Sequence, residues 1–171
     1  MTLPAPLNLI PRLYHFTDRR NLVSIRECGG LFPIAVLKEH GIAVPAPGGN
    51  DWSQDADQMK GMDGYVHLCF RDNHPMEYLA RQDGRIQESI FLQIDPRVLL
   101  WDGVLFAPGV SNKADATFHT IEEAKAMIDF TVLYTRTDWN DPAIKVRLQQ
   151  AEKCEILVPL GIPTDLIGNL P

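Results

Sequence analysis

The sequence has no hydrophobic run long enough to cross a membrane and no surplus of basic residues. Its 171 residues include 16 Lys and Arg against 22 Asp and Glu, which gives a formal net charge of −6. A membrane-spanning helix needs about 20 apolar residues, so we expect no membrane partner. Because the chain is acidic, any contact with nucleic acid must come from local basic patches rather than from the field of the whole molecule.

Cysteine is scarce, and a secretory signal is absent from the N-terminal residues. The three cysteines are odd in number and scattered, which argues against a disulfide framework and favours reduced thiols. Apolar residues near the N-terminus are interrupted by Pro4, Pro6 and Pro11 and lack a basic start, unlike a signal peptide. These absences predict a cytoplasmic protein.

Familiar phosphate-binding and metal-binding motifs are also missing. The chain contains neither G-x-G-x-x-G nor G-x-x-x-x-G-K-[ST], so any nucleotide must be bound without those phosphate cradles. His67, Cys69 and His74 could be imagined as zinc ligands. Zinc sites need three or four ligands, and no CxxC or second His-pair element accompanies these residues. We therefore predict no metal.

The length suits one domain over residues 1–171, with residues 1–11 as an extended arm. Strand patterns cover residues 13–17, 64–70, 89–94, 98–101 and 153–159, and helix patterns cover residues 21–28, 121–128 and 144–151. Pro75 predicts the start of another helix, with Met76, Leu79 and Ala80 facing inward. Residues 31–37 and 130–134 fit either helix or strand. Without regular βαβ alternation, this pattern indicates an α+β fold.

A segment rich in Gly, Pro, Asp and Asn spans residues 41–63. We interpret it as a long surface loop, because such composition lacks a helix or strand period. Trp52, Met59 and Met62 could supply apolar contacts that order the loop over a ligand. A mobile insertion is the alternative.

Glu155 is the acid that most needs an explanation. It heads the apolar run Ile156-Leu157-Val158, which Pro159 ends, so the segment is typical of a buried strand with a carboxylate at its start. A buried carboxylate is costly unless it is paired or hydrogen-bonded. Glu155 is therefore either a satisfied structural charge or a reacting group.

Four stretches in order resemble the DarT family, bacterial DNA ADP-ribosyltransferase toxins related to the poly-ADP-ribose polymerase class of folds. They are Tyr14-His15-Phe16-Thr17 with Asn21-Leu22, residues 25–31 with Gly29-Gly30, residues 65–78 with His74-Pro75-Met76, and residues 153–159. Trp139-Asn140-Asp141 is a weaker fifth element. No single stretch is specific, but their order and spacing together are, and they extend from about Leu13 to Ile167.

The resemblance implies a split antiparallel β-sheet with flanking helices that holds NAD+ as co-substrate in a cleft. Glu155 corresponds to the family's catalytic glutamate, and the His-x-Thr strand implies binding of the nicotinamide ribose. The NAD-binding residues implied are His15, Phe16, Thr17, Asn21, Gly30, Leu31, Arg71 and Tyr78.

The family also has an arginine in the loop after the Tyr-Val strand, and this chain departs from that pattern. An ungapped match puts Asn73 at that position, with Arg71 two residues earlier. We assign the catalytic role to Arg71, because a guanidinium can grip a phosphate in a way that an amide cannot.

The resemblance further implies a toxin that ADP-ribosylates a base of single-stranded DNA, acts as a monomer, and is countered by a macrodomain hydrolase as antitoxin. Candidate DNA contacts are Asn73, His74, Met76, His119, Lys145 and Arg147. Thymine, guanine, RNA and protein stay open as acceptors. The alternatives are an NAD glycohydrolase, an RNA 2'-phosphotransferase and a non-catalytic NAD-binding module.

Overall fold

Five antiparallel strands form the main sheet of the computed structural model, which describes residues 2–49 and 51–171, with only the backbone for residues 51–53. The strands of the chain are β1 (Leu13–Asp18), β2 (Gly30–Leu31), β3 (Tyr65–Cys69), β4 (Ser89–Ile94), β5 (Leu105–Ala107), β6 (Glu155–Pro159) and β7 (Ile162–Pro163). The main sheet has the order β4-β1-β3-β6-β5, and β2 pairs with β7 in a separate two-stranded sheet. The predicted split antiparallel α+β fold is confirmed.

Seven helices surround the sheets in the described part of the chain. They are α1 (Leu22–Glu27), α2 (Ile34–Glu39), α3 (Asp51–Lys60), α4 (Pro75–Gln82), α5 (Ile121–Met127), α6 (Phe130–Tyr134) and α7 (Pro142–Glu152). The starts of α4 and α7 follow their sequence signals, since each has a proline in its first turn and a side chain of the preceding residue that accepts a backbone N–H. None of the helices described is long and apolar enough to cross a membrane.

The core is formed by the buried side chains of the central strands. Val66 and Leu68 of β3 are buried, while Tyr65 and His67 on the other face are partly exposed. In β6, Ile156, Leu157 and Val158 are fully buried, because that strand lies between β3 and β5 with both faces covered. The apolar run after Glu155 therefore forms a central strand, as predicted.

The extended arm predicted at residues 1–11 is wrong over residues 2–11, and residue 1 lies outside the described residues. A short 3-10 helix spans Leu7–Leu9, and Leu7 and Ile10 are buried in the core. The apolar side chains between the prolines are the physical reason, since they remove more surface from water by packing than an extended arm could.

Three further predictions need correction. Residues 98–101 are not a strand, because Pro96–Leu100 forms a 3-10 helix whose first turn is capped by Asp95. The segment 41–63 contains α3, where Met59 is exposed, and the side chain of Trp52 lies outside the described residues. Leu79 is half exposed instead of facing inward. In both of the last two cases, the 3.6-residue period of the helix determines which side chains are exposed, and composition alone does not show it.

Candidate active site

Glu155 is the first residue of β6 and lies near the middle of the main sheet. Its backbone is opposite Cys69 at the end of β3 and Ala107 at the end of β5. The helix α7 ends at Glu152, so only Lys153 and Cys154 separate that helix from the strand. This short connection fixes the carboxyl group at the point where the two strand ends meet, and it leaves the residue buried.

Three groups surround the carboxylate of Glu155. The backbone N–H of Ser111 donates to Oε2 at 3.2 Å. His67 Nδ1 lies 3.5 Å from the same oxygen, and His74 Nε2 lies 3.4 Å from Oε1. Burial opposes ionisation, but the hydrogen bond and charge of His67, with smaller contributions from His74 and Ser111, hold the pKa of Glu155 below its usual value. The group is therefore a carboxylate at neutral pH.

The imidazole of His74 lies beside that carboxylate, although Nε2 makes no hydrogen bond with any described residue. The backbone N–H of Met76 donates to His74 Nδ1 at 3.3 Å, which caps α4 and makes Nε2 the protonated nitrogen of the neutral ring. Burial is the main reason that the pKa of His74 is lowered, so the ring is neutral. His74, predicted as a DNA contact, is 2% exposed and sits beside Glu155 instead of on the surface.

A cavity of about 260 Å³ opens in front of Glu155, near the lower end of the range for small-molecule sites. Among the residues predicted from the sequence, it is lined by His15, Phe16, Thr17, Asn21, Gly30, Leu31, Met76 and Glu155. Further lining comes from the segment 44–49, from α3 and from Val110, Ser111 and Asn112. The predicted NAD-binding strand and the predicted catalytic acid thus share one cavity.

His15 and Asn21 are both fixed by hydrogen bonds at the wall of this cavity. His15 Nδ1 donates to the backbone oxygen of His67 at 2.9 Å, which selects one tautomer, and burial lowers the pKa of the ring. Asn21 donates to Thr17 Oγ1 at 3.0 Å and to the backbone oxygen of Ala46 at 2.7 Å, and it accepts from the N–H of Ala46 at 2.8 Å. Its amide therefore holds the segment that covers the cavity.

Gly30 and Leu31 line the cavity from the small sheet. A Cβ on Gly30 would lie 2.3 Å from the backbone oxygen of Ile162, so only glycine lets β2 approach β7 this closely. The preceding Gly29 has a φ of +78°, a left-handed conformation that glycine commonly adopts just after a helix such as α1.

Arg71 and Asn73 both lie outside the cavity lining. Asn73 Nδ2 donates to Glu152 Oε2 at 2.8 Å, and Arg71 lies 3.7 Å from Glu152 Oε1. The Arg71 guanidinium also covers the ring of Trp139, 5.8 Å from its centroid. The two candidates for the family arginine position therefore meet at one glutamate, three residues before Glu155.

The remaining predicted contacts are spread over other surfaces. Tyr78 is half exposed on α4, where Arg81 covers its ring. Arg147 donates to both carboxylate oxygens of Asp129 at 2.7 and 3.1 Å, which ties α7 to α6. Lys145 is exposed on α7, and His119 contacts Thr117 and Glu123. The structure does not bring these four predicted residues to the cavity.

Cys69, one of the three candidate zinc ligands, is hydrogen-bonded to the protein backbone. The thiol of Cys69 donates to the backbone oxygens of Tyr14 and Arg71 at 3.5 and 3.2 Å. Among the side chains described, those of residues 2–49 and 54–171, no group of three or more His, Cys, Asp and Glu residues is arranged to hold a metal ion.

Ser111 and Asp57 were not predicted as site residues. Ser111 follows β5 in a loop with no regular pattern, and Asp57 lies on α3 within the segment predicted to be a loop. No motif marks either residue. The helical spacing of Gln54 and Asp57, which both line the cavity, is the one signal that could have indicated Asp57.

Comparison with known proteins identifies the family. A family model described as DarT, an ssDNA thymidine ADP-ribosyltransferase, matches residues 14–170. A search of curated proteins finds no significant match.

Three solved structures share the fold. Thermus sp. 2.9 DarT in complex with ADP-ribosylated ssDNA is 18% identical, with 98% of this chain and 81% of that chain covered and a TM-score of 0.67. The same protein in complex with NAD+ is 21% identical, with 97% and 81% covered and a TM-score of 0.62. Thermosipho africanus DarTG in complex with ADP-ribose is 17% identical, with 92% and 42% covered and a TM-score of 0.62.

Proposed function

The chain belongs to the DarT family of ssDNA thymidine ADP-ribosyltransferases, and on that premise we propose that its cavity binds NAD+ and that Glu155 directs transfer of ADP-ribose to a thymidine of single-stranded DNA. The observation that carries the proposal is the buried carboxylate of Glu155 at the wall of a cavity that also contains the His15–Thr17 strand.

The reaction needs a carboxylate at this point. The bond between nicotinamide nitrogen and ribose C1' breaks, nicotinamide leaves with the electron pair, and positive charge develops on the ribose ring. A fixed carboxylate that accepts a hydrogen bond from a ribose hydroxyl stabilises that positive charge in the transition state. The lowered pKa of Glu155, set by His67 against the effect of burial, keeps the group in the required form.

The acceptor atom follows from the chemistry of thymine. N3 is the ring nitrogen of thymine that carries hydrogen, and it forms the new bond to C1'. Its proton becomes far more acidic as that bond forms, so the weakly basic Glu155 can accept it and later release it to water. Atoms and charge balance with no further reactant.

The half of NAD+ that reacts must lie against β1. In this arrangement His15 and Thr17 contact the nicotinamide ribose, with Phe16 beside them, and Gly30 and Leu31 allow close approach of the ligand. Support comes from relatives of the same fold, since Thermus sp. 2.9 DarT has been solved with NAD+ and with carba-NAD+.

We assign the acceptor strand to the surface formed by Arg71, Asn73 and Trp139. An exposed indole stacks on a base, and an arginine near it contacts a phosphate, which together suit single-stranded DNA. Arg71 then fills the role of the family arginine on the acceptor side. Because Arg71 does not line the cavity, we do not assign it a contact with the NAD+ pyrophosphate.

We further propose that the protein is a cytoplasmic toxin, monomeric, and countered by a macrodomain hydrolase that removes ADP-ribose from DNA. Support comes from family membership and from the likeness to the protein named DarTG, whose chain is more than twice as long as the region matched here.

The experiment that tests the function uses NAD+ labelled in its adenylate phosphate. The purified protein is incubated with a single-stranded oligonucleotide that contains thymidine, and with a matched one in which every thymidine is replaced by deoxycytidine. We expect label on the first oligonucleotide alone. Glu155→Gln lowers transfer at least about 100-fold, whereas Glu39→Gln on the exposed surface of α2 leaves it unchanged.

Two outcomes overturn the proposal. Free ADP-ribose without labelled DNA indicates an NAD glycohydrolase. Label transfer that survives Glu155→Ala shows that the carboxylate does not direct the reaction.

A further inference from the structure

His67 occupies the centre of the site although no part of the proposed reaction uses it directly. Its Nε2 lies 3.1 Å from the backbone oxygen of Met62 and 3.9 Å from Asp57 Oδ2. Its Nδ1 lies 3.1 Å from Ser111 Oγ and 3.5 Å from Glu155 Oε2. The ring is thus placed between two carboxylates on opposite sides.

These contacts favour an imidazolium. A neutral imidazole donates from one nitrogen and accepts at the other. An unprotonated Nε2 would turn its lone pair toward the carbonyl of Met62. An unprotonated Nδ1 can accept from the hydroxyl of Ser111, but its lone pair then also faces the carboxylate of Glu155. A proton on each nitrogen removes both repulsions and lets Nδ1 donate toward Ser111 and Glu155.

The charge balance of the cavity leads to the same conclusion. Among the described residues that line it, Asp57, Asp63 and Glu155 carry acidic groups and none is an arginine or lysine. His67 is then the cation available to offset buried negative charge. Without it, a carboxylate buried to this degree would take up a proton instead of staying ionised.

We propose that His67 is a positioning residue that, as an imidazolium held between Asp57 and Glu155, keeps the Glu155 carboxylate ionised and oriented toward the cavity. This inference rests on the proposed function of Glu155. To that function it adds a row of ion pairs, Asp57–His67–Glu155. The hydroxyl and the N–H of Ser111 join this row to the loop after β5.

The proton affinities of His67 and Glu155 agree with this role, whereas burial raises the pKa of Asp57. Burial opposes the charge on His67, but the hydrogen bond and charge of Glu155, followed by the charge of Asp57, raise the pKa of His67 to about 9. The titratable groups that face or influence the ring are Asp57 on α3, His15 on β1, His74 before α4 and Glu155 on β6. Lys60 on α3 and Asp63 before β3 act on Asp57.

The first test does not depend on catalysis. Nitrogen-15 NMR of the histidine side chains reports the protonation of each ring nitrogen. In the wild-type protein at pH 7.5 we expect His67 to be doubly protonated, and in Glu155→Gln at the same pH we expect it to be neutral. A neutral His67 in the wild-type protein overturns the proposal even if transferase activity is present.

The second test uses pH profiles of kcat/KM for His67→Gln, with His40→Gln on the exposed end of α2 as the matched control. Loss of the cation raises the pKa of Glu155, so the acidic limb of the profile moves up by at least one pH unit, which is a tenfold change in proton affinity. A loss of activity that is uniform across pH in a folded variant contradicts a positioning role.

The two tests separate the possible failures. If no transfer occurs with any oligonucleotide, the proposed function fails while the NMR experiment still decides the state of His67. If His67→Gln does not fold, the comparison of the wild-type protein with Glu155→Gln decides alone.

Discussion

Asn21 and Ala46 exchange two hydrogen bonds, with the side-chain amide of Asn21 pairing both backbone groups of Ala46. The same amide nitrogen also donates to Thr17, so both of its hydrogens are used within the protein. The residue predicted to contact NAD therefore acts first by holding the segment 44–49 over the cavity.

Asn21→Ala should weaken both the fold and NAD binding. The substitution leaves the buried N–H and C=O of Ala46 without their partner, which costs about 2 kcal/mol of unfolding free energy. We expect a higher KM for NAD+ with a smaller change in kcat, measured by initial rates alongside urea denaturation. Asn8→Ala, at an exposed position of the N-terminal 3-10 helix, is the control. An unchanged KM would show that the segment 44–49 does not contribute to NAD+ binding.

Trp139→Ala should weaken binding of single-stranded DNA without affecting NAD binding. Stacking of a base on an aromatic ring contributes about 1–3 kcal/mol, so we expect roughly a tenfold loss of oligonucleotide affinity by fluorescence anisotropy. Met127→Ala removes a similarly exposed apolar side chain from α5 and should have no effect. Equal affinity in the two variants would place the acceptor strand elsewhere.

Arg71→Gln distinguishes the acceptor role from an NAD role. The guanidinium lies at Glu152 and Trp139 rather than at the cavity wall. We expect the affinity for DNA to fall several-fold and to become less dependent on salt, because one phosphate contact is lost. The dissociation constant of NAD+, measured by calorimetry, should stay the same. A large loss of NAD+ affinity would instead support the pyrophosphate contact.

The strands that sequence patterns predicted are those with a period long enough to detect. β1, β3, β4 and β6 each span five or six residues with a buried face, whereas β5 has three residues and gives no usable period. The apolar run at residues 98–101 is ambiguous by periodicity, and the Asp95-Pro96 cap decides for a 3-10 helix.

The residues of the candidate site also fall into two groups, those that the sequence indicated and those that it did not. His15, Thr17 and Glu155 lie on strands, and their grouping follows from the sheet once the family resemblance is recognised. Asp57 and Ser111 reach His67 from a helix and a loop whose positions depend on tertiary packing. Helical spacing could group Asp57 with Gln54 on one face, but nothing in the local sequence indicates the contact with His67.

Gly30→Ala should disrupt the small sheet at the cavity. A Cβ would lie 2.3 Å from the backbone oxygen of Ile162, and a backbone atom cannot move aside as a flexible side chain can. We expect a loss of about 2 kcal/mol in unfolding free energy and weaker binding of NAD+. Gly64→Ala, where nothing lies within 4 Å of the added Cβ, is the control and should be neutral or slightly stabilising. Equal stability of the two variants would contradict the close approach.

Because of Asp18, we expect the stability of the fold to fall as the pH becomes acidic. Its buried carboxylate accepts from the N–H and guanidinium of Arg20 and from the backbone N–H groups of Gln87 and Glu88, at 2.7 to 3.3 Å. Led by the hydrogen bond from the Arg20 side chain, these donors outweigh burial and hold the pKa of Asp18 well below its usual value.

A group with a depressed pKa stabilises the folded state above its unfolded pKa, about 3.9 for Asp, and that contribution is lost as pH falls toward the folded value. Asp18→Asn should therefore cost about 2 kcal/mol at pH 7 and progressively less below pH 4, because the wild-type protein loses the same contribution there. Urea denaturation at pH 7, 4 and 3 measures the difference, with the exposed Asp102→Asn as control. A gap between the wild-type protein and Asp18→Asn that stays constant down to pH 3 would show that the carboxylate is not held ionised by the fold.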